Sequence, residues 1–456
     1  MSRVLIQNAV AVVTQDPGLG EIKSGDVLVD GALVAQVGAG LKAEADEVID
    51  ASGRLVVPGF VNTHHHLYQV LTRNLESVQD AKLFDWLRYL YNVWGYVTPE
   101  ELHAAAHAGL GELLLSGCTT AADHHYLCPT CVEGDLFHAE AEAAREAGIR
   151  LHLTRGSMSL GISAGGLPPD EVVQDQETIL KDSERVITQF HDSAPGSMCR
   201  VALAPCSPFS VTLDLMRETA ALARQHRVRL HTHLAETKDE EEFCLKHFSK
   251  RPLALMEELD WLGSDVWFAH CVHLNDNEIA LMAKTGTGVA HCPVSNLRLG
   301  SGIAPVPRML DAGVPVGLAV DGSASNDSSN MLRELQTALL VHRVGTGVES
   351  MPARRVLEMA TVGGARVLGR DDIGVLAPGK AADLAMFDLR GVEYAGATHD
   401  PVSALLFCGP GARAELVMVN GEVVVKDKHL VRLDEHLVAE RARRASADLL
   451  KAAGIL

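Results

Sequence analysis

The sequence predicts an α/β fold: a (β/α)8 TIM barrel with a small discontinuous β-sandwich domain built from both chain ends. Three observations carry this prediction. Eight short apolar strand candidates alternate with Ala-, Leu- and Glu-rich helical segments through the middle of the chain. Metal-capable side chains recur at the C-terminal tips of several of those strands, where barrel enzymes keep their chemistry. The two ends, by contrast, read as short β-pieces separated by turn signals.

At the N-terminal end, apolar runs at 4–6, 10–13, 26–29 and 33–35 alternate with turns, and Asp30-Gly31 between two of them is a hairpin signal. This segment is too small to close a core alone. Residues 379–388 and 414–425 share its texture, with Asn420-Gly421 as a second hairpin. Residues 1–57 and 366–456 are therefore expected to form one sandwich, with a terminal helix over 436–453. Residues 58–365 remain for the barrel. Its strand candidates are 60–64, 118–123, 150–154, 200–205, 228–233, 266–270, 288–291 and 314–321. Helical segments such as 99–115 and 137–147 separate them, and Gly117, Gly148, Gly286 and Gly313 stand where helix C-termini prefer glycine. A doubly wound open sheet is the alternative, weakened because no Gly-x-Gly-x-x-Gly turn follows the first strand.

Composition narrows the function classes. At 456 residues the chain suits two domains or a barrel with additions. A formal net charge of −19 opposes a phosphate-backbone partner, so no nucleic acid is expected, although a free nucleobase remains a possible substrate. Nine scattered cysteines read as reduced intracellular thiols rather than a disulfide framework. The start, Met-Ser-Arg-Val-Leu-Ile-Gln-Asn, lacks the pattern of a signal peptide. No apolar run approaches the roughly 20 residues of a spanning helix. A cytoplasmic homo-oligomer with no membrane partner is the expectation.

The chemistry starts at residues 58–69, Pro-Gly-Phe-Val-Asn-Thr-His-His-His-Leu-Tyr-Gln. Strand alternation puts His64 and His66 on one face and His65 on the other. Two imidazoles on one face are what a zinc ion needs as its first ligands. The run is internal and follows an apolar strand, which argues against a tag. Strand five ends in His231-Thr232-His233-Leu234-Ala235-Glu236, strand six in Ala269-His270-Cys271 and strand eight in Asp321-Gly322-Ser323. His64, His66, His233 and Asp321 would hold one zinc per chain, with iron as the alternative, and leave a position for water. The metal brings that water's pKa to about 7, some two units below the aqueous ion. Glu236 is placed as a proton shuttle, against the alternative of an acid in the first turn of a helix. General acid–base help is typically 10²–10⁴-fold, so it would supply roughly 3–5 kcal/mol. His270 is placed to steer hydroxide or to stabilise developing charge.

These motifs resemble the amidohydrolase superfamily, in its branch of mononuclear zinc aminohydrolases acting on cytosine, guanine, adenosine and related heterocycles. The residues concerned are Pro-Gly-Phe-Val-Asn-Thr-His-His-His, His-Thr-His-Leu-Ala-Glu-Thr, Ala-His-Cys-Val-His-Leu and Val-Asp-Gly-Ser-Ala-Ser-Asn-Asp. The resemblance spans nearly the whole chain, including Gly-Lys-Ala-Ala-Asp-Leu near its C-terminal end. It implies that His64, His66, His233 and Asp321 bind the metal, and that Glu236 and His270 handle protons and substrate. It also implies that Asp321 accepts a proton from the attacking water. Within the branch, His-His-His-Leu-Tyr-Gln-x-Leu-Thr-Arg, Ser-Gly-Cys-Thr-Thr-Ala-Ala-Asp-His-His-Tyr, Thr-Arg-Gly-Ser-Met-Ser-Leu-Gly and Leu-Ala-Pro-Cys-Ser-Pro-Phe-Ser-Val are similar to enzymes that deaminate 8-oxoguanine to urate and ammonia. Isoxanthopterin deaminases and hydroxy-s-triazine aminohydrolases are the neighbours. Gln69 matches the glutamine with which guanine deaminases read the purine edge. Those enzymes carry Pro-Arg-Phe at the end of strand four, whereas here Pro205 is followed by Cys206 and Ser207. That departure disfavours plain guanine and makes Cys206 a candidate substrate contact. Arg155, at the end of strand three, is the candidate replacement cation or else a structural salt-bridge partner. A built-to-fit polar site can discriminate by about 10⁴–10⁵.

Two rivals fare worse. A two-metal cyclic-amide hydrolase needs a carboxylated Lys at the end of strand four, and residues 200–210 contain no Lys. A non-catalytic scaffold should have lost ligands. Cys128-Pro129-Thr130-Cys131 is a single pair without a second, and the His138–Glu140 and Pro205-Cys206 echo of another zinc deaminase class fails because position 209 is Phe. His124 and His125 are substrate-loop or ligand-support candidates, and His291 reads as structural. Trp86 and Trp94 either cover the heterocycle or belong to the core.

Overall fold

The computed structural model describes residues 3–456, so the first two residues of the expected 1–57 segment lie outside it. Eight parallel strands form the central sheet: β1 Phe60–Asn62, β2 Cys118–Ala122, β3 Arg150–Ser157, β4 Cys199–Pro205, β5 Arg229–Leu234, β6 Val266–His270, β7 Gly288–His291 and β8 Val316–Leu318. Each pairs with its neighbour in sequence, as short right-handed crossovers demand. The register is continuous where the site is built; β3 and β4 pair from Leu151↔Cys199 to Ser157↔Pro205, and β5 and β6 from Leu230↔Val266 to Leu234↔His270. The eighth strand is shorter than 314–321, because the chain leaves the ladder after Leu318 and rejoins it one step further on.

That step closes the ring. Thr63 N donates to Leu318 O at 3.1 Å, Asp321 N donates to His64 O at 3.1 Å, and His65–His66 pair with Asp321–Gly322. The seam between the first and last strands thus brings two ligand-bearing tips side by side. Around it the helices start and stop as the sequence specifies. Pro99–Leu115 opens on a Thr98/Glu101 capping box with Pro99 in its first turn. The helices before Gly148 and Gly286 end on those residues at φ 77° and 73°, a left-handed conformation that glycine adopts without strain.

The second sheet is made by the chain ends. Arg3–Val13, Glu21–Asp30, Leu33–Ala39, Glu47–Asp50 and Arg54–Pro58 come from one end, and Leu384–Asp388, Leu416–Val419, Glu422–Lys426 and His429–Leu430 from the other. They join where Arg54–Pro58 runs antiparallel to Leu384–Asp388. The two runs at 4–6 and 10–13 are one strand, interrupted at Asn8, whose φ of 66° marks a bulge. At the second hairpin Asn420 and Gly421 both have positive φ, 49° and 75°, as a type I′ turn requires. Val12, Val27, Val56, Leu384 and Met418 give this sheet a core of its own. A buried ion pair, Arg150 with Asp383, ties it to the N-terminal face of the barrel, and Arg150 also donates to Asn420 Oδ1 at 2.6 Å. Among the described residues no helix is long and apolar enough to cross a membrane, and all nine cysteines are free.

Candidate active site

At the C-terminal mouth of the barrel His64, His66, His233 and Asp321 converge. His66 Nε2 lies 3.1 Å from His233 Nε2, and Asp321 Oδ1 lies 3.3 Å from both His64 Nε2 and His66 Nε2. The outer ring nitrogens explain which atoms face inward. His66 Nδ1 donates to His124 O at 2.8 Å and His233 Nδ1 donates to Cys206 O at 2.7 Å. His231 Nδ1 donates to Trp267 O at 2.9 Å, which leaves its Nε2 to accept from His64 Nδ1 at 2.7 Å. All three ligand candidates therefore present an unprotonated Nε2 to the same point, the tautomer that metal binding needs.

These residues fit a zinc ion. Ligands about 2.0–2.1 Å from zinc at tetrahedral angles stand roughly 3.3 Å apart, which matches the observed separations. Without a cation, His64 Nε2 is a buried nitrogen lacking any hydrogen-bond partner, and the lone pairs of His66 and His233 oppose each other. Burial, together with the neighbouring rings, keeps these imidazoles neutral, His64 and His233 most strongly. His65 points away and meets Ser329 Oγ at 2.9 Å, as strand alternation demands.

Asp321 divides its two oxygens. Oδ1 faces the imidazoles, while Oδ2 accepts from Ser295 Oγ at 2.5 Å and Ser325 Oγ at 3.2 Å. His270 Nε2 lies between the two acids, 3.7 Å from Glu236 Oε2 and 4.0 Å from Asp321 Oδ2, and Asn296 Oδ1 holds its Nδ1 at 2.9 Å. Glu236 precedes the helix Lys238–Phe248 and so lies outside its first turn. Its backbone is pinned by Glu240, whose two carboxylate oxygens accept from Ala235 N and Glu236 N, each at 2.8 Å. Burial pushes the Glu236 carboxyl up to about 7, against the pull of His270. Ala235, His270, Cys271 and Asp321 all have positive φ, between 51° and 72°. A cluster of left-handed non-glycine residues at strand tips is backbone strain held by the surrounding fold.

A pocket opens over this centre, lined among others by Gln69, Trp86, Tyr91, Tyr126, Cys206, Glu236 and His270. Gln69 Oε1, Trp86 Nε1 and Tyr91 Oη are buried there without a protein partner. Buried polar atoms are normally paired, so these three invite a ligand with a polar edge. Burial drives the Cys206 thiol up to about 12, which leaves it neutral. Gly322 lets Gln69 in: a Cβ there would sit 1.9 Å from Gln69 Oε1.

Arg155 is not brought to the pocket. The pleat of β3 turns it outward with Leu151 and Leu153, over the Phe137 ring, and it is held by Asp182 Oδ2 and Gln174 Oε1, each at 2.9 Å. The salt-bridge alternative is the one observed. Trp86 lines the pocket, whereas Trp94 is fully buried and donates to Thr72 Oγ1. His124 stacks on His233 at 4.7 Å and donates to Ala204 O, within reach of the ligand group. His125 turns to Leu127 O, and His291 pairs with His342 away from the site. Sequence reasoning missed Glu240, Ser295, Asn296, Ser325 and Tyr91. It assigned no role to His231, although the His-x-His pattern carried the signal.

A family model described as the amidohydrolase family matches residues 55–424. The chain is 50% identical to an 8-oxoguanine deaminase of Pseudomonas aeruginosa, covering 99% of this chain and 100% of that one. It is 37% identical to an isoxanthopterin deaminase from an unknown prokaryotic organism, over 98% and 97% of the two chains. Among solved structures, an atrazine chlorohydrolase of Arthrobacter aurescens complexed with zinc superposes with a TM-score of 0.93 at 36% identity, covering 97% of this chain and 100% of that one.

Proposed function

The chain belongs to the amidohydrolase family, and from that premise we propose that it hydrolytically deaminates a free purine-like base, 8-oxoguanine to urate plus ammonia, using one zinc at His64, His66, His233 and Asp321. The observation that carries this reading is the convergence of four donor atoms at the base of a pocket whose walls hold Glu236 and three unpartnered polar atoms. A divalent cation bound there supplies Lewis acidity, so that water can lose a proton near neutral pH.

The chain's own residues do the rest. Asp321 Oδ2, oriented by Ser295 and Ser325, is the acceptor for the proton of the attacking water. Glu236, whose carboxyl burial pushes up to about 7, delivers a proton to the ring nitrogen as oxygen adds to the amine-bearing carbon. A proton then passes to the amine and ammonia leaves. His270, bracketed by both acids, holds the oxygen in position. Gln69, Tyr91 and Trp86 offer an acceptor and donors to an edge of alternating N–H and C=O groups. Neutral Cys206 stands where guanine deaminases have Arg, which favours a base with an added oxo group over guanine. The similarity to an 8-oxoguanine deaminase across the full chain supports the same choice.

The test is ammonia release from 8-oxoguanine, isoxanthopterin, a hydroxy-s-triazine, guanine and cytosine at matched concentrations. The expected ranking by kcat/KM puts 8-oxoguanine first. Isoxanthopterin or the triazine ahead by tenfold or more would transfer the assignment to that substrate, and no ammonia from any would overturn the deaminase reading.

A further inference from the structure

Helix Pro99–Leu115 lies beside helix Leu136–Ala147 on the outside of the barrel, and three side chains meet across their seam. His103 and His107 are four residues apart and so share a face; their rings are 4.3 Å apart. Glu146, from the second helix, places Oε2 3.1 Å from His103 Nε2 and 2.9 Å from His107 Nε2. None of the three touches the catalytic pocket.

A plain hydrogen bond does not account for the geometry. His107 is 4% exposed, and its Nε2 is buried without a hydrogen-bond partner even though the carboxylate oxygen is at bonding distance. The contact is close without the alignment a strong hydrogen bond needs. Glu146 Oε2 lies about 3 Å from both ring nitrogens, and the three ligand atoms lie within 4.8 Å of one another, so they surround a common point. The same edge length recurs in the catalytic centre. Burial and the adjacent His103 ring, with Arg441 of the helix Glu435–Ala452, lower the His107 pKa against the opposing pull of Glu146, so the imidazole is neutral and able to act as a ligand. His103 and Glu146 are partly open to solvent, which gives an ion an entry path and water for its remaining positions.

We propose that His103, His107 and Glu146 form a second divalent-cation site, separate from the catalytic centre, that takes zinc or a similar borderline metal and clamps the two helices together. Two imidazoles and one carboxylate are a donor set suited to zinc rather than to calcium or magnesium. The clamp bears on a meaningful place. The same helix packs through Gly109 against Leu67, directly after the ligand His66, and holds Arg73 through Glu112 at 2.6 Å. A cation here stabilises the support of the first-strand loop without entering the chemistry.

The experiment titrates the metal-stripped full chain with zinc and reads bound metal per chain, melting temperature and, with cobalt substituted, the visible absorption of each site. Wild type is expected to bind two equivalents, the second one raising Tm further and leaving first under brief chelation while turnover persists. The pair His103→Ala/His107→Ala is expected to bind one equivalent and lose the second rise in Tm, with turnover kept. Glu146→Gln, at a partly exposed position that tolerates the change, is expected to weaken the second equivalent at least about tenfold, the minimum cost of losing even a ligand's support. Because the readout is the difference between wild type and these variants, failure of the catalytic assignment does not mimic failure here. Zinc stoichiometry and Tm response equal in all three proteins would overturn the proposal.

Discussion

Replacing Glu236 by Gln isolates the carboxyl group on which the proposed chemistry turns. The substitution keeps shape and volume, and the backbone of residue 236 stays pinned by Glu240. Glu236 is not among the converging metal-binding groups, so metal content should be unchanged. In turnover the loss should be the 10²–10⁴-fold typical of general acid–base catalysis, about 3–5 kcal/mol. A second measurement checks the cause. In the metal-free protein burial raises this carboxyl from 4.5 to about 7. Between those values the folded state holds a proton that the unfolded state has released. Stability therefore falls as pH rises across that window, by roughly 3 kcal/mol in total at about 1.4 kcal/mol per pH unit. The amide of Glu236→Gln does not titrate, so the stripped variant should lack that decline and be at least as stable as wild type above pH 7. Ammonia release, metal analysis and denaturant melts at pH 4.5 to 8 supply the readings. Turnover within threefold of wild type, or an unchanged pH slope of stability, would refute the reasoning.

Three further perturbations test other parts of the argument. Gly322→Ala would drive a methyl group into the Gln69 amide; KM should rise and selectivity among bases fall, with metal content unchanged, and steady-state kinetics on the substrate panel would register it. Asp383→Asn leaves Arg150 a buried cation stripped of its counter-charge, and breaking such a pair costs about 3–5 kcal/mol, to be read as a lowered denaturation midpoint. Asp123 and Glu140 are two fully buried acids in contact with each other, Asp123 pushed up by burial to about 7 and Glu140 likewise pushed by burial well above the usual carboxylate range. Both then cost stability as pH climbs past their unfolded values, so Glu140→Gln should flatten the fall in Tm between pH 5 and 7; parallel curves for variant and wild type would refute a raised carboxyl at Glu140.

Much of the barrel was legible because its signals are local. Strand alternation is a property of the backbone, so the shared face of His64 and His66 followed from counting. Glycine after four of the helices marked a left-handed stop, and the structure has positive φ at Gly117, Gly148, Gly286 and Gly313 alike. Arg155 shows where local signals fail. Its place at a strand tip was readable, but the face of that strand turned to the pocket depends on parity relative to the barrel axis. A single residue of offset reverses it. The short eighth strand and the bulge at Asn8 escaped for the same reason, since ladders are decided by the partner strand.

By itself, then, the sequence determined residue chemistry and period: imidazoles, carboxylates and glycines at the intervals a metal-dependent barrel uses. Only the tertiary structure decided proton inventory and enclosure. His231 orients His64 across 167 residues, Asn296 orients His270, and Ser295 and Ser325 orient Asp321. Hydrogen bonds between distant segments leave no period in the chain. Nor does burial, which moves Glu236 towards neutrality and Cys206 away from charge, because desolvation belongs to the assembled pocket and to no residue alone.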